Sequence, residues 1–183
     1  MLVPYTVEVL DKLRWNAHLG KHKHFAAAGQ GKKLHIWFGV PVIVINVVLG
    51  SALFTSLGAQ SIPEIVKWAG AGFALLAALL GALQTFFNFE KQHVEHRAVG
   101  NEYLSVAREC ERILALHFDN LMQLEELSKC IERINIEYGK TNQRSEALPS
   151  SKKHFAEALE IQKRKKSEET SLVERYASTK LEH

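Results

Sequence analysis

The chain has 183 residues, a formal net charge of +3, a hydrophobic share of 46% and a mean hydropathy of -0.10. So small a charge does not by itself indicate a nucleic-acid surface, and no nucleic-acid partner is expected. A near-zero mean at that apolar content fits a short membrane anchor carried by a polar body.

Residues 5–30 read as an N-terminal amphipathic helix. Val9 or Leu10, Leu13 and Ala17 form its stripe, and Lys12, Arg14, Lys21 and Lys23 add charge. Such a helix lies in the membrane interface or packs on cytoplasmic helices. Gly29-Gln30-Gly31 is read as its end.

Residues 34–63 contain no Asp, Glu, Lys or Arg, and neither do residues 68–89. An α-helix rises about 1.5 Å per residue and a bilayer core is about 30 Å thick, so each run is long enough to cross a membrane. A soluble helix keeps a polar face, and residues 34–57 have none. The competing reading, a helical hairpin buried in a soluble core, asks a chain of this size to bury two such helices side by side. A cleaved signal peptide fits poorly, because the first run starts far into the chain and a second follows at once. The fold class expected is therefore an all-α membrane protein. It comprises a two-span antiparallel transmembrane hairpin (34–57 and 67–89, joined by a short extracytoplasmic loop, 58–66), the N-terminal amphipathic helix and a cytoplasmic helical domain.

Lys12, Arg14, Lys21, Lys23, Lys32 and Lys33 precede the first span; Lys91, Arg97, Arg108 and Arg112 follow the second. The loop has no Lys or Arg before Lys67. Positive residues stay inside, which places both termini in the cytoplasm. Trp37 and Trp68 mark opposite interfaces, and Phe86, Phe87 and Phe89 the inner one. Cys110 and Cys130 then lie in the cytosol as free, reduced thiols.

Within the second span, Gly70, Ala74, Ala77, Gly81, Gln84 and Asn88 form a small or polar stripe at 3-4 spacing. Small residues let helices approach in lipid, and polar ones bond across the contact. Gly39, Asn46, Gly50 and Leu53 share a face of the first span. An antiparallel register puts Gly39 near Gln84 and Asn46 near Ala77. The stripe then either zips the hairpin or lines a pore, with Ser51, Thr55 and Thr85 left for a second surface. Pro41 is placed to bend the first span.

No proline occurs from Glu64 to Leu148, so the second span is expected to run on into the cytosol as one helix towards Leu116. Residues 90–138 form cytoplasmic helices. Tyr103, Ala107, Cys110, Leu114 and His117 form one packed face. Residues 117–120 break the chain, with Asn120 and Gln123 resembling a capping box. Leu121, Leu124, Leu127, Ile131 and Ile134 follow on the next helix, and Tyr138-Gly139 reads as its stop. Residues 139–180 are a loop and a charged C-terminal helix capped by Ser151, carrying Phe155, Leu159, Leu172, Val173 and Tyr176. Residues 181–183 look like a tag remnant. Leu114, Leu121, Leu124 and Ile131 are the candidate oligomerisation residues.

No phosphate-binding glycine loop, nucleophile elbow or zinc cysteine pattern is present, so no enzyme, cofactor or metal is expected. Of the nine histidines, His18, His22 and His24 precede the first span, and His93 and His96 follow the second. His18, His22, His93 and His96 are candidates for juxtamembrane gating by protons. Arg97, Arg108, Arg112 and Arg133 read as solvated helix faces rather than a nucleotide site.

Several segments in order carry a resemblance. They are Trp15-Asn-Ala-His18, Phe38-Gly-Val-Pro41-Val, Val47-Val-Leu-Gly50-Ser-Ala-Leu-Phe54, the second span from Trp68 to Leu79-Leu-Gly-Ala-Leu-Gln84-Thr-Phe, the His93/His96/Ala98 run, Tyr103-Leu104 and Ala147-Leu-Pro149. Together they resemble the SLATT domain proteins, two-transmembrane effectors of bacterial conflict systems. The resemblance implies an antiviral effector of the bacterial inner membrane that oligomerises and forms a pore or otherwise perturbs the bilayer. It also implies activation by a nucleotide second messenger or a partner sensor protein. Two helices cannot enclose a water path, so such a pore needs on the order of four or more subunits in a closed homo-oligomer. A membrane-anchored helical scaffold and a small ion or proton channel are the competing readings.

Overall fold

The computed structural model describes residues 5–56 and 62–168. Leu57, most of the connecting loop, Leu172, Val173, Tyr176 and residues 181–183 lie outside the described residues, as do the side chains of Phe54 and Thr55. All described secondary structure is helical: α1 (Tyr5–Ser56), α2 (Glu64–Phe87), α3 (Phe89–Phe118), α4 (Leu124–Glu146) and α5 (Lys152–Glu168). The chain divides into two compact units, residues 29–93 and residues 1–28 with 94–183.

Several boundaries differ from the sequence reading. Gly29-Gln30-Gly31 does not end the first helix; α1 passes through it unbroken. Glycine weakens a helix by only about 1 kcal/mol, and a Cβ on Gly31 would stand 3.2 Å from the Phe89 carbonyl oxygen, so this glycine serves close approach. The second helix starts at Glu64, inside the expected loop, and does not continue unbroken past Phe87. Asn88 takes a left-handed conformation (φ 44°, ψ 51°) and its N–H bonds the Gln84 carbonyl, ending α2 before α3 begins. Asparagine tolerates this conformation better than other non-glycine residues.

The break after Phe118 stands where expected, with Asn120 at φ 56°. The capping box, however, is made by Gln123 and Glu126, starting three residues after Asn120. Tyr138-Gly139 is not a stop. The helix α4 continues to Glu146, so Thr141, Asn142 and Ser145 are helical rather than loop residues. Ser151 does cap α5, its hydroxyl accepting from the His154 N–H at 3.3 Å. The buried face of α5 is His154, Ala158 and Gln162, one residue away from the Phe155–Leu159 face that its apolar pattern suggests.

The unit formed by residues 1–28 and 94–168 has an apolar centre of Val7, Leu10, Leu13 and Ala17 from α1, Val99 to Leu114 from α3, and Leu127 and Ile134 from α4. Here α1 and α3 lie unusually close. A Cβ on Gly20 would meet the Tyr103 ring at 2.9 Å, and one on Gly100 the Phe25 ring at 2.5 Å. The α5 helix is seated on α1 through Gln162, which donates to the Trp15 carbonyl, and through Lys166, whose ammonium lies over the Trp15 ring.

In residues 29–93, α1 and α2 pack in opposite directions. A Cβ on Gly39 would approach Gln84 to 3.1 Å, while one on Gly70 would touch Leu49 at 3.9 Å. The rings of Phe38 and Phe89 stack with centroids 5.5 Å apart.

Candidate functional site

The densest polar chemistry sits inside the unit of residues 1–28 and 94–168. Continuing the buried phase Leu10–Leu13–Ala17 by helical steps leads to Lys21, His24 and Ala28, so a histidine is turned into the interior. His24 is 0% exposed and His96, on α3, 3%. Their Nδ1 atoms are 2.9 Å apart. The Nε2 of His24 lies 2.7 Å from the Ser145 hydroxyl on α4, and Lys23 donates to the same hydroxyl at 3.2 Å.

The direction of each bond follows from its end point. Pro149 has no N–H, so its backbone bond with His96 is accepted by its carbonyl. With Nδ1 of His96 committed to His24, the donor is Nε2. Nδ1 of His96 is then the acceptor, His24 carries its hydrogen on Nδ1, and its bare Nε2 accepts from the Ser145 O–H. The chain Lys23–Ser145–His24–His96 is thus compatible with both rings neutral, and the Tyr103 hydroxyl also bears on Ser145. Burial, then the nearby Lys23, His96 and His154, pushes the His24 pKa down to about 3. Burial lowers that of His96 as well, against the opposing Pro149 bond. Next to this chain, Tyr103 donates to the Asn142 amide oxygen at 2.6 Å.

The arrangement of Ser145, His24 and His96 has the spacing of a nucleophile, its base and an orienting group. All three are buried, with His24 wholly enclosed, so no face is open to a substrate. Among the described residues no group of three or more metal-ligating side chains converges.

The expected gating histidines separate. His96 joins the buried chain. His18 bonds Glu111 across to α3 at 3.0 Å and also receives Lys21 at 3.4 Å. His22 is driven down to about 4 by burial and by the Lys21 charge, and its buried Nε2 has no hydrogen-bond partner. His93 belongs to the other unit. His24 and Ser145, the centre of the network, were missing from the candidate set. The signal for His24 was the helical phase; Ser145 carried none, because the glycine at 139 suggested a loop.

The candidate oligomerisation residues separate too. Leu114 is wholly buried inside its own chain and Ile131 partly so, whereas Leu121 is 71% and Leu124 56% exposed. The packing partner sought for the Tyr103–Leu114 stripe is supplied by α1 and α4 of the same chain.

Residues 29–93 have the opposite character. Trp37 is 77%, Val47 62%, Trp68 74%, Leu75 64% and Phe86 81% exposed. Between α1 and α2, Gln84 sits against Gly39, its amide nitrogen 3.3 Å from the His35 Nδ1. Ala77 is buried, while Gly81 is half-buried and Asn88 lies exposed at the helix end. Asn46, expected near Ala77, is exposed. Gly50, one turn on, has open space where a Cβ would stand. The exposed hydroxyls of Ser51 and Thr85 bond back to the carbonyls of Val47 and Gly81. Compared with known proteins, the chain matches no family model, no curated protein and no solved structure.

Proposed function

We propose that the chain is a two-span protein of the bacterial inner membrane, with both termini cytoplasmic, acting as an antiviral effector that assembles into a homo-oligomer and opens or disrupts the bilayer. The observation that carries the membrane part is the unburied apolar surface of residues 29–93. The most apolar stretch of α1 has none of its share buried within the chain, and the corresponding stretch of the second candidate span 6%. Water disfavours such a surface by about 25 cal/mol per Å², and soluble monomers rarely expose apolar patches beyond a few hundred Å². The absence of Lys and Arg from the loop before Lys67 supports the orientation.

Assembly is supported by Asn46. An outward amide near the middle of a span needs a partner, either a second copy or water. The effector role rests on the resemblance to the SLATT proteins, with a nucleotide second messenger or a partner sensor as trigger. A second reading, a membrane-anchored scaffold, is favoured by Gln84. Its amide is engaged between α1 and α2, next to Gly39 and His35, as a packing contact would be.

Two measurements test this. A cysteine at the exposed Glu64 should react with an impermeant thiol reagent in intact cells, while Cys130 should not; the reverse pattern overturns the orientation. Cys110 is uninformative there, since burial pushes its thiol up to about 12. For the effector role, induced expression should admit an impermeant dye and stop growth. Asn46→Leu should lower the oligomer mass in nanodiscs and reduce dye entry about tenfold. Unchanged mass and dye entry in that variant remove Asn46 from the assembly, and a harmless wild type leaves the scaffold reading.

A further inference from the structure

The His24–His96 contact holds a single hydrogen between two Nδ1 atoms 2.9 Å apart. It joins α1 to α3, and through Ser145 to α4, in the interior of its unit. We propose that this pair is an acid-released clasp, which holds the helices together while both rings are neutral and lets go when it takes up a proton.

Each site of proton uptake breaks something. A proton on Nδ1 of His96 sets two N–H donors face to face. A proton on Nε2 of His24 reverses the Ser145 bond and places an imidazolium beside the Lys23 ammonium, which already donates to that hydroxyl. The surrounding groups give little relief. Lys23 faces the pair from α1, Tyr103 and Glu95 from α3, Ser145 with its neighbour Asn142 from α4, and His154 from α5. Glu146 acts on Tyr103. Glu95 is the one carboxylate among these that acts on the pair directly, and it acts on His96.

The sign follows from linkage. Opened to water, each ring would titrate near its ordinary value of about 6.5. Closed, both are held below it, His24 at about 3. The closed form therefore binds fewer protons in the window between those values. Its advantage is complete above about pH 6.5 and falls about tenfold per pH unit per ring as the pH drops through that window. The clasp is independent of whether residues 29–93 enter a bilayer.

The test is hydrogen exchange on the full chain in detergent, corrected for intrinsic rates, at about pH 7.5 and 5.5. Protection of residues 17–28 and 94–103 should fall by about tenfold or more at the lower pH. H24Q/H96Q, whose amides can still donate and accept but cannot titrate, should lose most of that dependence. Equal protection at both pH values in the wild type, or an equal fall in the variant, overturns the proposal. Should the variant not fold, histidine-selective ¹⁵N NMR of the wild type decides. His24 should stay neutral at pH 5.5 in the closed form, and titration of both rings near 6.5 without loss of protection overturns the clasp.

Discussion

Residues 5–28 and 94–168 turn His24, His96 and Ser145 inward and link them by hydrogen bonds, whereas residues 29–93 leave Trp37, Trp68, Leu75 and Phe86 largely exposed. Both regions are made of helices, and two of those helices, α1 and α3, contribute to both. The difference lies in what must be hidden. In water a helix hides apolar area, and a polar group placed inside costs free energy unless its hydrogen bonds are met. In hydrocarbon the outside is apolar and the polar groups look inward or towards a partner. Gln84 and His35 pair between α1 and α2, while Leu10 and Leu114 are wholly buried.

The largest effect expected from breaking this contrast comes from one substitution made at two places. Leu114→Asp puts a carboxylate into a fully closed core, at a cost of about 3–5 kcal/mol or more. Leu124→Asp puts the same group on a surface that is already 56% exposed, with an effect of about 0.5 kcal/mol. Limited proteolysis in detergent should cut the 94–168 region of L114D rapidly and leave L124D like the parent. Equal damage from both would mean that Leu124 is covered in the assembled protein, and would return it to the oligomer interface.

Glycine substitutions sharpen the contrast at an intermediate scale. Gly100→Ala drives a methyl into the Phe25 ring and should cost about 1–3 kcal/mol, read as a lower thermal midpoint. Gly72→Ala meets open space and should be neutral or slightly stabilising, because alanine is the better helix former. A matching loss in Gly72→Ala would reveal a neighbour that the isolated chain lacks.

The smallest effect expected is that of Gln84→Leu. Polar contacts across membrane helices contribute about 0.6–1.7 kcal/mol, so the variant should denature slightly earlier in detergent and keep any conductance. Abolished conductance with unchanged stability would move Gln84 from the seam to a pore wall.

The sequence by itself determined the helical class, the two apolar runs, the break after Phe118 and the proximity of Gly39 to Gln84. Composition and 3.6-residue periodicity act over one or two turns, and the chain obeys them locally. Tertiary structure decided what periodicity leaves open. Leu114 and Leu124 look alike as members of an apolar stripe, but only the packing of α1, α3 and α4 encloses the first and leaves the second outside. Gly29, Gly31 and Gly139 read as helix ends, yet the helices run through them, because packing of a whole face outweighs a local propensity of about 1 kcal/mol. The histidine chain shows the limit most clearly. His96 and Ser145 are separated by 72 and 121 positions from His24. No periodicity spans such distances, so their contact exists only because three helices bring their buried faces to one point.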